Sequence, residues 1–146
     1  MTTARQLLLA SACALGLGLA GAVQAAPTVG TYGGTTTVAL DGGFVAALDS
    51  LGVELGLAGN ASAGAAGVGF PIPAGEIDLA TAAGQIVHTG GITLSAGGLT
   101  VTLSTFIIDT TGDTPVLTGL VKANNDLLFR APLFDLELPA GLTLPL

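Results

Sequence analysis

The sequence predicts an all-β fold: an antiparallel β-sandwich-like domain with one short helix. Three observations carry that reading. Thr, Val, Ile and Leu recur with period two along most of the chain, glycines punctuate them, and helical signals are scarce. Charged residues make up only 9% of the 146 residues, against about 25% in an ordinary soluble domain. That scarcity excludes a coiled coil, a nucleic-acid binder and a charged-surface cytosolic domain. A hydrophobic content of 50% argues against a disordered chain.

The first 25 residues read as an address rather than as part of the fold. Arg5 precedes an uncharged apolar run over residues 7–23, and Val23-Gln24-Ala25 puts compact residues at the −3 and −1 positions of a cleavage site. The run is 17 residues long, short of the about 20 strongly apolar residues of a permanent anchor. Cys13 raises a lipoprotein alternative, but Ala10-Ser11-Ala12 before it lacks the Leu such a site wants. Cleavage after Ala25 leaves 26–146 as a single β-rich domain, secreted or held in a bacterial cell envelope. It keeps Lys122 and Arg130 against ten carboxylates and has no cysteine. Disulfides, thiol catalysis and thiolate metal sites are thereby excluded.

Within that domain, residues 35–40 and 53–57 are predicted strands with a helix between them. Phe44, Leu48 and Leu51 fall at i, i+4 and i+7, Asp41 can cap the start, and Gly52 stands where a left-handed residue closes a helix. Residues 58–67 are all Ala, Gly, Ser and Asn and read as a loop. Residues 76–79 and 85–94 are the next strands. The clearest strand covers 99–104 and runs on to 108, followed by a turn at 109–113 and a returning strand at 116–122. A turn at 124–126 leads into 127–131, and 134–138 alternates Phe134, Leu136 and Leu138 with Asp135 and Glu137. This is an antiparallel meander. An outer-membrane barrel would need aromatic girdles and strands of about 9–11 residues, and the mature chain has six aromatics. The chain closes at 142–146 in a strand-like pattern without a closing turn, the pattern expected of a reading frame cut short, with a sheet edge left unpaired.

The chemistry available is narrow. His88 is the sole histidine, and no G-x-S-x-G elbow accompanies the serines, so hydrolysis ranks third among the readings. Glu76 and Asp78 share one face of a strand and read as its solvent side. Asp109 and Asp113 offer oxygen ligands, but without the alternating pattern of a calcium loop they read as turn residues. Zinc lacks its ligands. Two bases cannot neutralise a phosphate backbone. Asn60-Ala61-Ser62 matches a glycosylation sequon, a tripeptide frequent by chance. The most distinctive segment is residues 84–94. A single strand through it would point His88 with Ile86, Ile92 and Leu94 to the apolar side, with Gly90-Gly91 as a bulge or close approach. His88 is then a structural histidine bonded to a backbone carbonyl, or a ligand-facing imidazole with glycines making room beside it.

Leu51-Gly52-Val53, Val68-Gly69-Phe70-Pro71-Ile72 and Gly84-x-Ile86-x-His88-x-Gly90-Gly91-Ile92 recur in a familiar arrangement, with Ile108-Asp109-Thr110 and Arg130-x-x-Leu133-Phe134-x-Leu136 after them. Together they resemble the HtaA-type domains of secreted and cell-wall-attached bacterial proteins, over roughly residues 44–136. The resemblance implies a β-sandwich-like fold, an extracellular or envelope location, and haem as a ligand class. Family haem binders use an axial Tyr near the domain start and a His in the glycine-flanked strand. Tyr32 and His88 would fill those roles here. Tyr32 lacks the aromatic and basic neighbours of the family position, and Val87 stands where the family has Gly before its His. The expectation is therefore a non-catalytic module that binds a surface or small-molecule ligand, with haem binding through Tyr32 and His88 as the alternative.

Overall fold

The structure, a computed structural model, describes residues 27–137. The leader over 1–25 with Cys13, the last residue of the 134–138 strand and the pattern at 142–146 lie outside the described residues. Among the described residues the elements are β1 (Thr28–Gly30), β2 (Thr35–Val38), α1 (Gly42–Ser50), β3 (Glu54–Ala58), β4 (Ser62–Gly64), β5 (Gly67–Pro71), β6 (Ala74–Asp78), β7 (Gly84–Val87), β8 (Gly91–Ala96), β9 (Leu99–Asp109), β10 (Val116–Ala123) and β11 (Asp126–Asp135). All strand pairs are antiparallel. The predicted all-β sandwich-like class with one short helix is what the described residues adopt: a curled larger sheet with a smaller one against it.

The larger sheet runs β1-β6-β7-β9-β10-β11, and β8 joins β3 to β9. The long strand β9 organises it. One edge of β9 pairs with β10, while the other pairs with β8 over its first half and β7 over its end. Between those halves Thr105 takes a left-handed φ of 49°. Thr105 and Phe106 together stand opposite the single Gly119 of β10, and Leu133 is an extra residue in β11 nearby. An extra residue on one strand bends it and increases its twist. Successive irregularities across β9, β10 and β11 thus curl the sheet.

The second sheet, β2-β5-β4, lies inside that curl. Its Val68 and Phe70 are buried with Phe106 of the large sheet, flanked by Leu40, Ala61, Ile92, Leu103, Leu117 and Leu133. Phe70 and Phe106 meet edge to face, their centroids 5.1 Å apart at 77°, the favoured geometry for aromatic quadrupoles. Gly119 makes the room: a Cβ there would stand 3.0 Å from Phe106 Cδ1 and 2.8 Å from Leu133 Cδ1.

Several expectations hold in detail. Asp41 caps α1 by accepting from Phe44 N–H at 3.0 Å, and Gly52 closes it at φ +67°. The meander β9-β10-β11 is present, with Asn124 left-handed in its second turn. Others are corrected. Residues 58–67 contain β4 and the start of β5, because small side chains let backbone pair closely even where they offer little to pack. Residues 84–94 are two strands, not one, broken at His88-Thr89-Gly90. Residues 127–131 and 134–138 are one strand ending at Asp135, which absorbs its irregular pattern at Leu128 and Leu133. The apolar stripe of α1 buries only Leu48; Phe44 is 40% and Leu51 74% exposed. The helix rests mainly on β3, so one side chain suffices to seat it.

Candidate functional site

The break between β7 and β8 positions the one buried polar side chain of the described residues. His88 N–H donates to Phe106 O at 2.8 Å, Thr89 N–H crosses to Pro71 O of β5 at 3.0 Å, and Thr105 N–H returns to Gly90 O at 3.1 Å. These bonds replace the ladder that a continuous strand would make. Gly90 is required at φ +85°, where a Cβ would also stand 2.6 Å from Ala61 N. Asn60 Nδ2–H donates to Thr89 Oγ1 at 2.9 Å, tying the β3–β4 turn to the same point.

His88 is 2% exposed. Its Nε2 lies 2.7 Å from Thr36 Oγ1 on β2, so the side chain bridges the two sheets. Nδ1 is buried without a hydrogen-bond partner of good geometry. Burial pushes the imidazole pKa below its ordinary value, and the carbonyls of Phe106 and Ile86 oppose this in part. Either the Thr36 hydroxyl or Nε2 supplies the proton of the bond between them, according to the ring's tautomer. Of the two readings of His88, the structural one describes this arrangement, with one correction: the ring's close partner is a hydroxyl from the other sheet, not a backbone carbonyl. Thr36 escaped sequence reasoning. It lies in a run of three threonines that reads as solvent face, and it is 52 positions from His88.

Tyr32 is 85% exposed in the β1–β2 connection. The structure does not bring it together with His88: one ring stands in solvent, the other is enclosed and already bonded. As placed, the two do not fit joint ligation of one haem iron, since Tyr32 stands in solvent while His88 is enclosed and bonded to Thr36. Arg130, one of two bases the domain can offer a propionate, donates Nη1–H to Thr105 O at 3.0 Å and Thr118 Oγ1 at 3.1 Å. It braces the outer side of the bulge.

The carboxylates stand in turns. Asp109 is held below the usual carboxylate range by bonds from Thr111 and Gln85, and Asp78 by the backbone N–H groups of Thr81 and Ala80. Both are thereby satisfied within the chain. An open groove of about 440 Å³ lies between the free edges of β3 and β4, lined by Leu40, Leu55, Leu57, Ala63, Ala66 and Val68 among others, none charged. His88 does not line it. A third feature is apolar surface on β11, where Leu127, Leu128, Phe129 and Phe134 are 54–59% exposed. Phe129 and Phe134 oppose Val121 and Leu117, on the side of the sheet that carries Leu133. The small sheet does not extend over them. Comparison with protein-family models, curated proteins and solved structures gave no match to this chain.

Proposed function

We propose that this chain is a non-catalytic binding module of the bacterial envelope or exterior, of the kind its resemblance to HtaA-type domains implies. One observation supports the reading above the others: Phe129 and Phe134 stand exposed on one face of β11, with Leu127 and Leu128 exposed at the strand's start. Apolar surface gathered in one place marks an interaction site more often than scattered apolar residues do. Two irregularities and Pro132 interrupt the outer edge of β11, devices that discourage unregulated strand addition. Contact through the apolar side chains is therefore favoured over contact through the backbone edge. The test is binding of the purified protein to envelope preparations from the cells that make it. Saturable binding, reduced several-fold in a Phe129→Ser/Phe134→Ser variant with unchanged circular dichroism, supports the reading. Equal binding by the variant sinks it.

The same resemblance gives haem as a second reading. It requires His88 to release Thr36 and Tyr32 to leave solvent. Titration with hemin decides it: a saturable Soret shift lost in both Tyr32→Ala and His88→Ala promotes haem, and an unchanged spectrum removes it.

A further inference from the structure

The chain has a single histidine, and it is placed where a proton would do the most damage. His88 occupies the gap between β7 and β8, faces the small sheet, and is 2% exposed. Its one close side-chain partner is the Thr36 hydroxyl of β2. The sheets are also joined at this point by the Thr89 N–H and hydroxyl bonds to Pro71 O and by the Phe70–Phe106 contact. Among the described residues the bridge is the one side-chain hydrogen bond that joins β2 to the larger sheet.

No charge faces the ring to receive an imidazolium. β2, β5, β7 and β8 carry no charged side chain at all. On β9 the one carboxylate is Asp109, at the strand's exposed end and engaged by Gln85 and Thr111. Next to β7, β6 offers Glu76, which pairs with Gln85 at the far end of β7, and Asp78, turned to its own loop. Arg130 binds the Thr105 carbonyl beside Phe106 and would oppose a second positive charge. A charged ring would meet only a hydroxyl and two carbonyls in a site that excludes water, and a buried charge without a counter-ion is strongly destabilising.

We propose that protonation of His88 releases the small sheet from the larger one, giving the domain an acid-triggered opening that exposes Val68, Phe70 and Phe106. The sign follows from linkage. A histidine whose folded-state pKa is lowered binds more protons once freed, so the closed form is favoured above the ordinary value of about 6.5 and weakens as pH falls below it. One proton changes the open-to-closed ratio by at most about tenfold per pH unit. Opening therefore grows through the window just below pH 6.5, where exposed carboxylates still hold their charge.

The test follows the ring protons of the one histidine by NMR in the full-length chain, together with hydrogen-exchange protection of individual amides between pH 7 and 5. The expected result is a ring that titrates below its ordinary value. Protection at the Thr89 amide, whose bond to Pro71 O crosses between the sheets, should fall up to tenfold per pH unit, while the β9–β10 amides keep theirs. His88→Gln should abolish the pH dependence. If that variant does not fold, Thr36→Val takes its place, with opening raised at every pH and the pH dependence retained. A ring that titrates at its ordinary value overturns the proposal. So do simultaneous loss of protection in both sheets, the same acid response in His88→Gln, and unchanged protection in Thr36→Val.

Discussion

The junction around Phe106 and the far end of the meander at β11 are built from the same residue types yet behave as opposites. At the junction, Phe106, Phe70 and Val68 are 6–7% exposed and His88 is bonded across the sheets. On β11, Phe129 and Phe134 are 57% and 59% exposed. Both regions contain bulges, a phenylalanine pair and strands of the same sheet. What separates them is coverage: β2-β5-β4 lies over the first and stops short of the second. An apolar side chain contributes to stability in proportion to the area a neighbour removes from water, so identical residues carry the core in one place and form surface in the other.

That contrast can be broken by substitution, beginning where the effect is greatest. Phe106→Ala should destabilise by about 3–5 kcal/mol, the range for truncating a buried aromatic; urea unfolding would show a lower midpoint at unchanged slope. Gly90→Ala should cost about 2 kcal/mol, because a left-handed φ is unfavourable with a Cβ and Ala61 N must move. Thermal unfolding would register a reduced Tm. Thr36→Val leaves His88 Nε2 buried without its partner and should cost about 1–3 kcal/mol, readable in the same urea experiment. Last, Phe129→Ser should stay within about 0.5 kcal/mol of the parent, as exposed positions do. A loss at Phe129 as large as at Phe106 would mean that β11 is covered in solution and would erase the contrast.

Much of the fold was legible because strands announce themselves locally. The alternation in residues 99–104 marks β9, and Asp41 and Gly52 bracket α1 by capping chemistry alone. The errors came where side chains were small or the strand irregular. β4 is Ser-Ala-Gly, which has no period to read, and β1 is three exposed residues. The break at His88 was half legible: Gly90-Gly91 signalled a bulge, but a bulge and a strand break share one signature. For the site, His88 was visible as a solitary histidine beside glycines. Thr36 was not, since a threonine on an apparent solvent face carries no mark of the partner it will meet.

The sequence alone determined the class of fold, the helix limits, the turn positions and the scarcity of charge. Each depends on neighbours within a few positions, where period, capping and backbone sterics act. Only the tertiary structure decided which apolar residues became core and which stayed outside, that His88 would bond Thr36, and that Tyr32 would stand apart from it. Those outcomes depend on how far the small sheet reaches across the curl of the large one. That curl carries bulges at Thr105–Phe106 and Leu133, a relation between distant strands that no local pattern records.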